Sequence, residues 1–258
     1  MLSDPDQPEP ILPSATDLTL GRYNHVASGA AFSPSVRMEN FGTRDLIDLF
    51  RLIALRLSEA RIELGILDGA IGDADHGNSM ANGFLAVVQA ISPLDDHAPS
   101  AIMSIAARSF LSAVGATTGP LYASALLAAA RGLEGKTALS AADVAGLVPA
   151  FAAGIADRGK ARPGDKTMMD AWAPAARAVA DAERAQLPPL DRLRKAEAAA
   201  REGRESTRAM IAATGRAARL GPRSLGHVDP GAASAVIVIG ALHEWLHRRT
   251  RPASEEPR

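Results

Sequence analysis

No cysteine occurs among the 258 residues of the chain. Disulfides and thiolate-bound metals are therefore excluded, and metal binding must rest on oxygen or imidazole ligands. Aromatic residues are scarce at 4% of a sequence that is 47% hydrophobic. A chain of this length can still bury a sizeable core, built mainly from alanine and leucine. An excess of charge is missing too: 28 basic and 29 acidic residues leave a formal net charge of −1. That gives no overall attraction to nucleic acid or to an anionic membrane. No uninterrupted apolar run of about 18 residues is available for a membrane span. The acidic, proline-rich start from Met1 to Pro10 lacks the basic and apolar regions of a secretory signal, so a cytoplasmic protein is expected. A full Walker A motif and a Gly-x-Gly-x-x-Gly motif are also absent, which leaves a nucleotide, if one binds, to a different architecture.

What is present is concentrated between Leu67 and Gly77, where Asp68, Asp73, Asp75 and His76 stand around glycines. Hard cations such as Mg²⁺ take oxygen ligands, usually a few carboxylates with water and substrate phosphates completing the shell. In one unbroken helix Asp68 and Asp75 would share a face while Asp73 pointed away. Convergence requires a break, which Gly72 and Gly77 permit. Asp68 is thus expected at the end of a helix, with Asp73 and Asp75 in a tight loop after it. A solvated Asp/Gly turn would account for this segment taken alone.

Three other segments repeat the combination of glycine, small hydroxyl and charge: Gly115 to Pro120, Pro163 to Met168 and Gly226 to Ala232. Each precedes an apolar helical run. A helix start after a glycine turn presents unpaired N–H groups and the positive end of the dipole, which favours phosphate. Thr117 and Thr118 add hydroxyl donors there. Asp165 and Lys166 read either as a structural turn with an ion pair or as direct contacts to a ligand.

Periodicity predicts an all-α fold. Thr43 is placed to cap a run in which Leu46, Leu49, Phe50, Ile53 and Leu57 recur at helical spacing toward Asp68. A second helix carries Met80, Phe84, Val87, Val88 and Ile91 and ends near Ser92-Pro93. Further runs near 99–113, 119–132, 140–157, 166–182, 190–214 and 230–248 bring the expected number to eight. Val236 to Ile239 would suit a strand but lies inside a helical segment. Residues 1–42, rich in Pro, Ser, Asp and Gly, read as a flexible extension. Residues 43–250 form the domain, and 251–258 a tail.

In order and spacing, Leu67 to Phe84, Gly115 to Leu121, Arg158 to Met168 and Leu220 to Ala232 resemble the L subunit of dihydroxyacetone kinases, a likeness running from about Thr43 to about His247. The resemblance implies an antiparallel eight-helix barrel with its nucleotide site at one end. It implies that Asp68, Asp73 and Asp75 hold Mg²⁺, and that His76, Gly77, Asn78 and Ser79, with Thr117 and Thr118, line the phosphates of ADP or ATP. Gly159 and Met168 would border the adenine or ribose, and Arg216 with Asp229, Pro230 and Gly231 would close the site. Two positions depart from the family pattern. Ser79 stands where the family usually carries Asn, with Asn78 as its neighbour, and Thr117 is bulkier than the expected Ala or Gly.

The same resemblance implies a division of labour. A separate K subunit binds the ketose through a histidine while the L subunit supplies the γ-phosphoryl group, so this chain holds no substrate-carrying residue of its own. His76 and His227 lie inside the nucleotide motifs and do not suit that role. In some members a phosphohistidine protein of the phosphotransferase system rephosphorylates the bound nucleotide; in others ATP exchanges. The ketose is either dihydroxyacetone or a tetrulose such as erythrulose. The alternative reading is a binding module that reports nucleotide state to a transcription regulator, since family members contact such regulators.

Overall fold

The computed structural model describes residues 40–250. The expected tail at 251–258 and residues 1–39 of the expected extension lie outside them. Nine α-helices are found among the described residues: α1 (Thr43–Glu59), α2 (Arg61–Gly69), α3 (His76–Ile91), α4 (Pro99–Ala113), α5 (Thr118–Gly132), α6 (Ala141–Gly159), α7 (Met169–Arg184), α8 (Pro189–Ser206) and α9 (Pro230–Thr250). Two 3₁₀ segments, Thr207–Ala209 and Ala217–Ser224, lie between α8 and α9. The one bridge among the described residues joins Phe41 to Leu139.

Eight of the nine helices close a ring. From α3 to α9 each helix packs on the next, and α1 packs on both α3 and α9. The short α2 stands outside the sequence of the ring, against α3 and α9. Alternate connections of such an up-down barrel meet at one end.

The few aromatic side chains among the described residues are gathered in the interior. Phe50, Phe84, Phe110, Tyr122, Trp172 and Phe151 form a chain of ring contacts, with centroids 5.1 Å apart for Phe84 and Phe110 and 5.7 Å for Phe151 and Trp172. Edge-on and tilted contacts of this kind add to the area they bury. Alanines such as Ala106, Ala125, Ala129, Ala145 and Ala235 fill the rest of the helix interfaces. Their small side chains let the helices approach closely.

Local chemistry shifts several expected boundaries. The run from Thr43 to Asp68 is two helices, because the chain bends at Ala60, where φ is −86° and ψ is 1°. Thr43 does not cap α1. Its hydroxyl donates to the His97 carbonyl at 2.8 Å and accepts from the His97 N–H at 3.0 Å, while Asp45 accepts from the Gly42 N–H at 3.0 Å. α7 starts at Met169 rather than 166, since Lys166 takes φ of +58°. α8 stops at Ser206 rather than 214, where Thr207 turns its hydroxyl back onto the Arg204 carbonyl at 2.6 Å. Val236 to Ile239 is helical, with Val236, Val238 and Ile239 buried in α9. Phe41, expected in the extension, is buried edge-on against Trp245 at 4.8 Å. No described helix is long and apolar enough to cross a membrane.

Candidate functional site

The connections 70–75, 114–117, 160–168 and 207–229 meet around a cleft of about 350 Å³. His76, Thr118, Met169 and Pro230, the first residues of α3, α5, α7 and α9, all line it. Four helix N-termini therefore face one space, and the positive end of each dipole points toward it. At the N-terminus of α3 stand the carboxylates of Asp68, Asp73 and Asp75, with an oxygen of each within 4.8 Å of the others. This is the convergence that a helix break was expected to allow: Asp68 is in the last turn of α2 and the other two lie in the loop after it.

Two glycines make the loop possible. A Cβ on Gly72 would overlap the Asp68 carboxylate and stand 3.1 Å from its Cγ. A Cβ on Gly77 would overlap the Arg61 carbonyl and lie 3.0 Å from the Gly65 nitrogen. Gly77 is thus where the backbones of α2 and α3 touch. It does not line the cleft, and neither do Asn78 and Ser79.

Among the remaining expected residues, Asp68, Asp73, Asp75, His76, Thr117, Thr118, Gly159, Met168, Arg216, Asp229, Pro230 and Gly231 all do. The structure brings these twelve together from five parts of the chain.

The electrostatics follow from burial. Asp68, 9% exposed, accepts a hydrogen bond from the His76 N–H at 3.1 Å. Burial, together with the neighbouring Asp68 charge, raises the pKa of Asp75. Arg216 answers the acidic cluster: its guanidinium contacts Asp73 and stands 3.5 Å from Asp75. Burial pushes the His76 imidazole down to about 4, against the pull of Asp68, so the ring is neutral at physiological pH. Its Nε2 lies 2.9 Å from the Ser234 hydroxyl, which donates to the Gly231 carbonyl at 3.0 Å. Because that hydroxyl has one proton, the network assigns the ring proton to Nε2.

Asp229 is the N-cap of α9. Its carboxylate accepts from the Ala232 N–H at 2.7 Å, and Pro230 occupies the first helical position, where a missing N–H costs nothing. Burial raises its pKa to about 7, outweighing the Ala232 hydrogen bond and the charge of Lys166. Asp170 organises the 160–168 connection, accepting from Gly164 N–H at 2.5 Å and Thr167 N–H at 2.8 Å. Lys166 is 2% exposed and donates to the carbonyls of Thr207 and His227, each at 2.5 Å. The expected ion pair with Asp165 gives way to these two bonds.

Sequence reasoning missed Thr207 and Ser234 and left Lys166 undecided. Ser234 left a faint signal, as a lone hydroxyl within a run of alanines and aliphatics. Thr207 left none.

The donor set fits a hard divalent cation. Three carboxylates with no thiolate, facing a space lined by helix N-termini and large enough for a polar ligand, match the chemistry of a metal held jointly by protein and phosphate.

The chain is similar over most of its length to known proteins. The DAK2 domain matches residues 70–244. The ADP-binding subunit DhaL of the PEP-dependent dihydroxyacetone kinase of Escherichia coli is 36% identical over 176 residues, covering 68% of this chain and 84% of that protein. The corresponding subunit of the PTS-dependent enzyme of Lactococcus lactis is 35% identical over 73% of this chain and 90% of its own length. An L-erythrulose 1-kinase of Mycolicibacterium smegmatis is 35% identical over 80% of this chain, which spans 36% of that longer protein. Among solved structures, the dihydroxyacetone kinase of C. freundii in complex with AMP-PNP and Mg²⁺ superposes with a TM-score of 0.61 at 23% identity. It matches 87% of this chain and 38% of its own, a likeness of fold.

Proposed function

The chain belongs to the dihydroxyacetone kinase L-subunit family, defined by the DAK2 domain, and on that premise we propose that it is the nucleotide-carrying subunit of a short-ketose kinase. It holds Mg²⁺ and ADP or ATP in the cleft, in the cytoplasm, and passes the γ-phosphoryl group to a ketose held by a K-type partner subunit. The observation that carries this reading is the meeting of three carboxylates and four helix N-termini on one cleft.

Each group there has a part. Asp68, fixed by the His76 N–H, and the more exposed Asp73 and Asp75 hold the metal, whose charge neutralises and aligns the phosphates when bound. The N-terminus of α5, with the Thr117 and Thr118 hydroxyls, receives phosphate oxygens. Met168 and Gly159 offer an apolar wall to the base or ribose. Arg216 lies beside the acidic loop, where its planar multi-donor group can follow the transferring phosphoryl charge. Catalysis of this kind rests on positioning and electrostatics, which these residues supply, while the partner subunit presents the ketose hydroxyl. The names of the relatives support either dihydroxyacetone or erythrulose as the ketose, and a PEP-linked phosphotransferase protein as the source of the phosphoryl group.

The test is reconstitution. Native mass spectrometry of the purified protein should show retained adenine nucleotide with Mg²⁺. A coupled assay should detect ketose phosphate only when a K subunit is added. Robust phosphorylation of free ketose by the isolated chain would overturn the subunit reading.

A further inference from the structure

Residues 207–229 leave the barrel at the end of α8 and return to it at α9. The two ends of this segment are tied together at its base. Gly226 N–H donates to the Arg208 carbonyl at 2.8 Å, and Asp229 N–H donates to the Thr207 hydroxyl at 3.0 Å. From this base the loop carries Arg216 to the acidic cluster. Most of the loop has little core to hold it: Ile211 and Leu225 are 48% and 50% exposed. A loop that presents a charged group to a polar cleft needs an anchor elsewhere.

Lys166 occupies that position. Its ammonium reaches the Thr207 carbonyl on the outgoing side and the His227 carbonyl on the returning side. The charges of Asp229 and Asp170 lie close by. A third tie joins the same two connections, from Ala213 N–H to the Asp165 carbonyl at 3.1 Å. Lys166 takes a left-handed conformation, φ +58°, which is uncommon for a residue other than glycine. A lysine so fully buried would be costly without its two carbonyl acceptors and nearby carboxylates.

We propose that Lys166 is a positioning residue, clamping the base of the 207–229 loop onto the 160–168 connection and so setting the placement of Arg216 over the cleft. Lys166 borders the cleft, but its ammonium is turned to the two carbonyls, so it acts through Arg216. The part about the nucleotide rests on the function proposed above; the part about the loop does not.

The experiment is hydrogen exchange and nucleotide binding on the full chain, with Lys166→Met, Arg216→Ala and the double variant. Lys166→Met keeps the aliphatic stem and removes the donors and the charge. Exchange at amides in 208–226 should quicken by about tenfold or more in Lys166→Met, while amides of α1, α4 and α5 stay at the wild-type rate. Loss of Mg²⁺-dependent ADP affinity in the double variant should be less than the product of the two single losses, because both act through one guanidinium. Unchanged exchange in 208–226, or a rise shared by the whole barrel, would overturn the clamp. So would a Lys166→Met protein that does not fold, since the residue would then be a determinant of the barrel rather than of the loop. Independent, multiplicative losses would show that Lys166 does not act through Arg216. If wild type and Arg216→Ala bind ADP equally or not at all, the function proposed above fails, while the exchange result still decides the clamp.

Discussion

Replacing Asp75 by Asn separates the metal reading from a structural one, because the two predict opposite signs. The carboxylate oxygens of Asp68, Asp73 and Asp75 lie within 4.8 Å of one another. Two unit charges at that distance repel by about 3 kcal/mol at an effective dielectric constant of 20 and by about 1 kcal/mol in water. Asp73 and Asp75 are 49% and 53% exposed at their side chains, so the lower figure applies to each pair. Asp75→Asn removes two such repulsions, with Asp68 and with Asp73, and loses one attraction to Arg216, which at 3.5 Å offsets slightly more than one of them. The net effect on the ligand-free protein is a gain of about 0–1 kcal/mol, since burial and the neighbouring charge already raise the Asp75 pKa. With Mg²⁺ and ADP the sign reverses. A lost carboxylate ligand should lower nucleotide affinity by roughly a hundredfold, about 2.7 kcal/mol. Thermal denaturation with and without Mg²⁺-ADP, beside calorimetric titration, reads both terms. A variant that melts lower without ligand, yet binds Mg²⁺-ADP as tightly as wild type, would refute the reasoning.

Gly77→Ala should cost about 1–3 kcal/mol in denaturant unfolding, because the added Cβ meets backbone atoms of Arg61 and Gly65 that no rotamer change can move. Mg²⁺-dependent nucleotide affinity should fall with it as α2 carries Asp68 away; an unchanged affinity would show that the α2–α3 contact does not set the cluster. Asp229→Asn keeps the N-cap acceptor but removes the titration. With a folded pKa of about 7 against 3.8 unfolded, the native state binds the extra proton between these values, so wild-type stability relative to the variant is highest near pH 4. It should decline by up to about 4 kcal/mol as pH rises to 7. His76, lowered to about 4, contributes in the opposite direction between pH 4 and 6.5 in both proteins and cancels in the comparison. A flat difference between pH 4 and 7 in urea titrations would remove Asp229 as a proton-linked group.

The parts of the molecule legible in the sequence are those governed by local rules. Periodic Leu, Ile and Phe gave α1 and α3. The turn at Asp68 to Asp75 was legible because helix geometry forbids its three carboxylates from converging without a break. What the sequence hid depends on partners far along the chain. Thr43 reads as a cap until His97, 54 residues on, takes its hydroxyl. Lys166 reads as half of a turn with Asp165 until Thr207 and His227 supply its acceptors. Gly77 reads as part of a phosphate loop until α2 is seen to pack against its backbone.

The connections around the cleft add a second reason. Ala74, Ala116 and Lys166 have φ of +64°, +53° and +58°, yet none is glycine or asparagine, the residues whose presence announces such a turn. Each left-handed alanine or lysine costs on the order of 1 kcal/mol relative to a residue free to adopt that region. Ala74 lies between the two loop aspartates, Ala116 just before Thr117, and Lys166 at the base of the Arg216 loop. Neighbours hold the turns at Ala74 and Lys166: the Asp68 carboxylate holds the His76 N–H, and Asp170 holds the N–H groups of Gly164 and Thr167. Glycine at these positions would lower the strain but free the backbone. The barrel, with its continuous buried interior, supplies the stability against which such local strain is held, and three short connections are thereby kept rigid where charge must be placed to within an ångström.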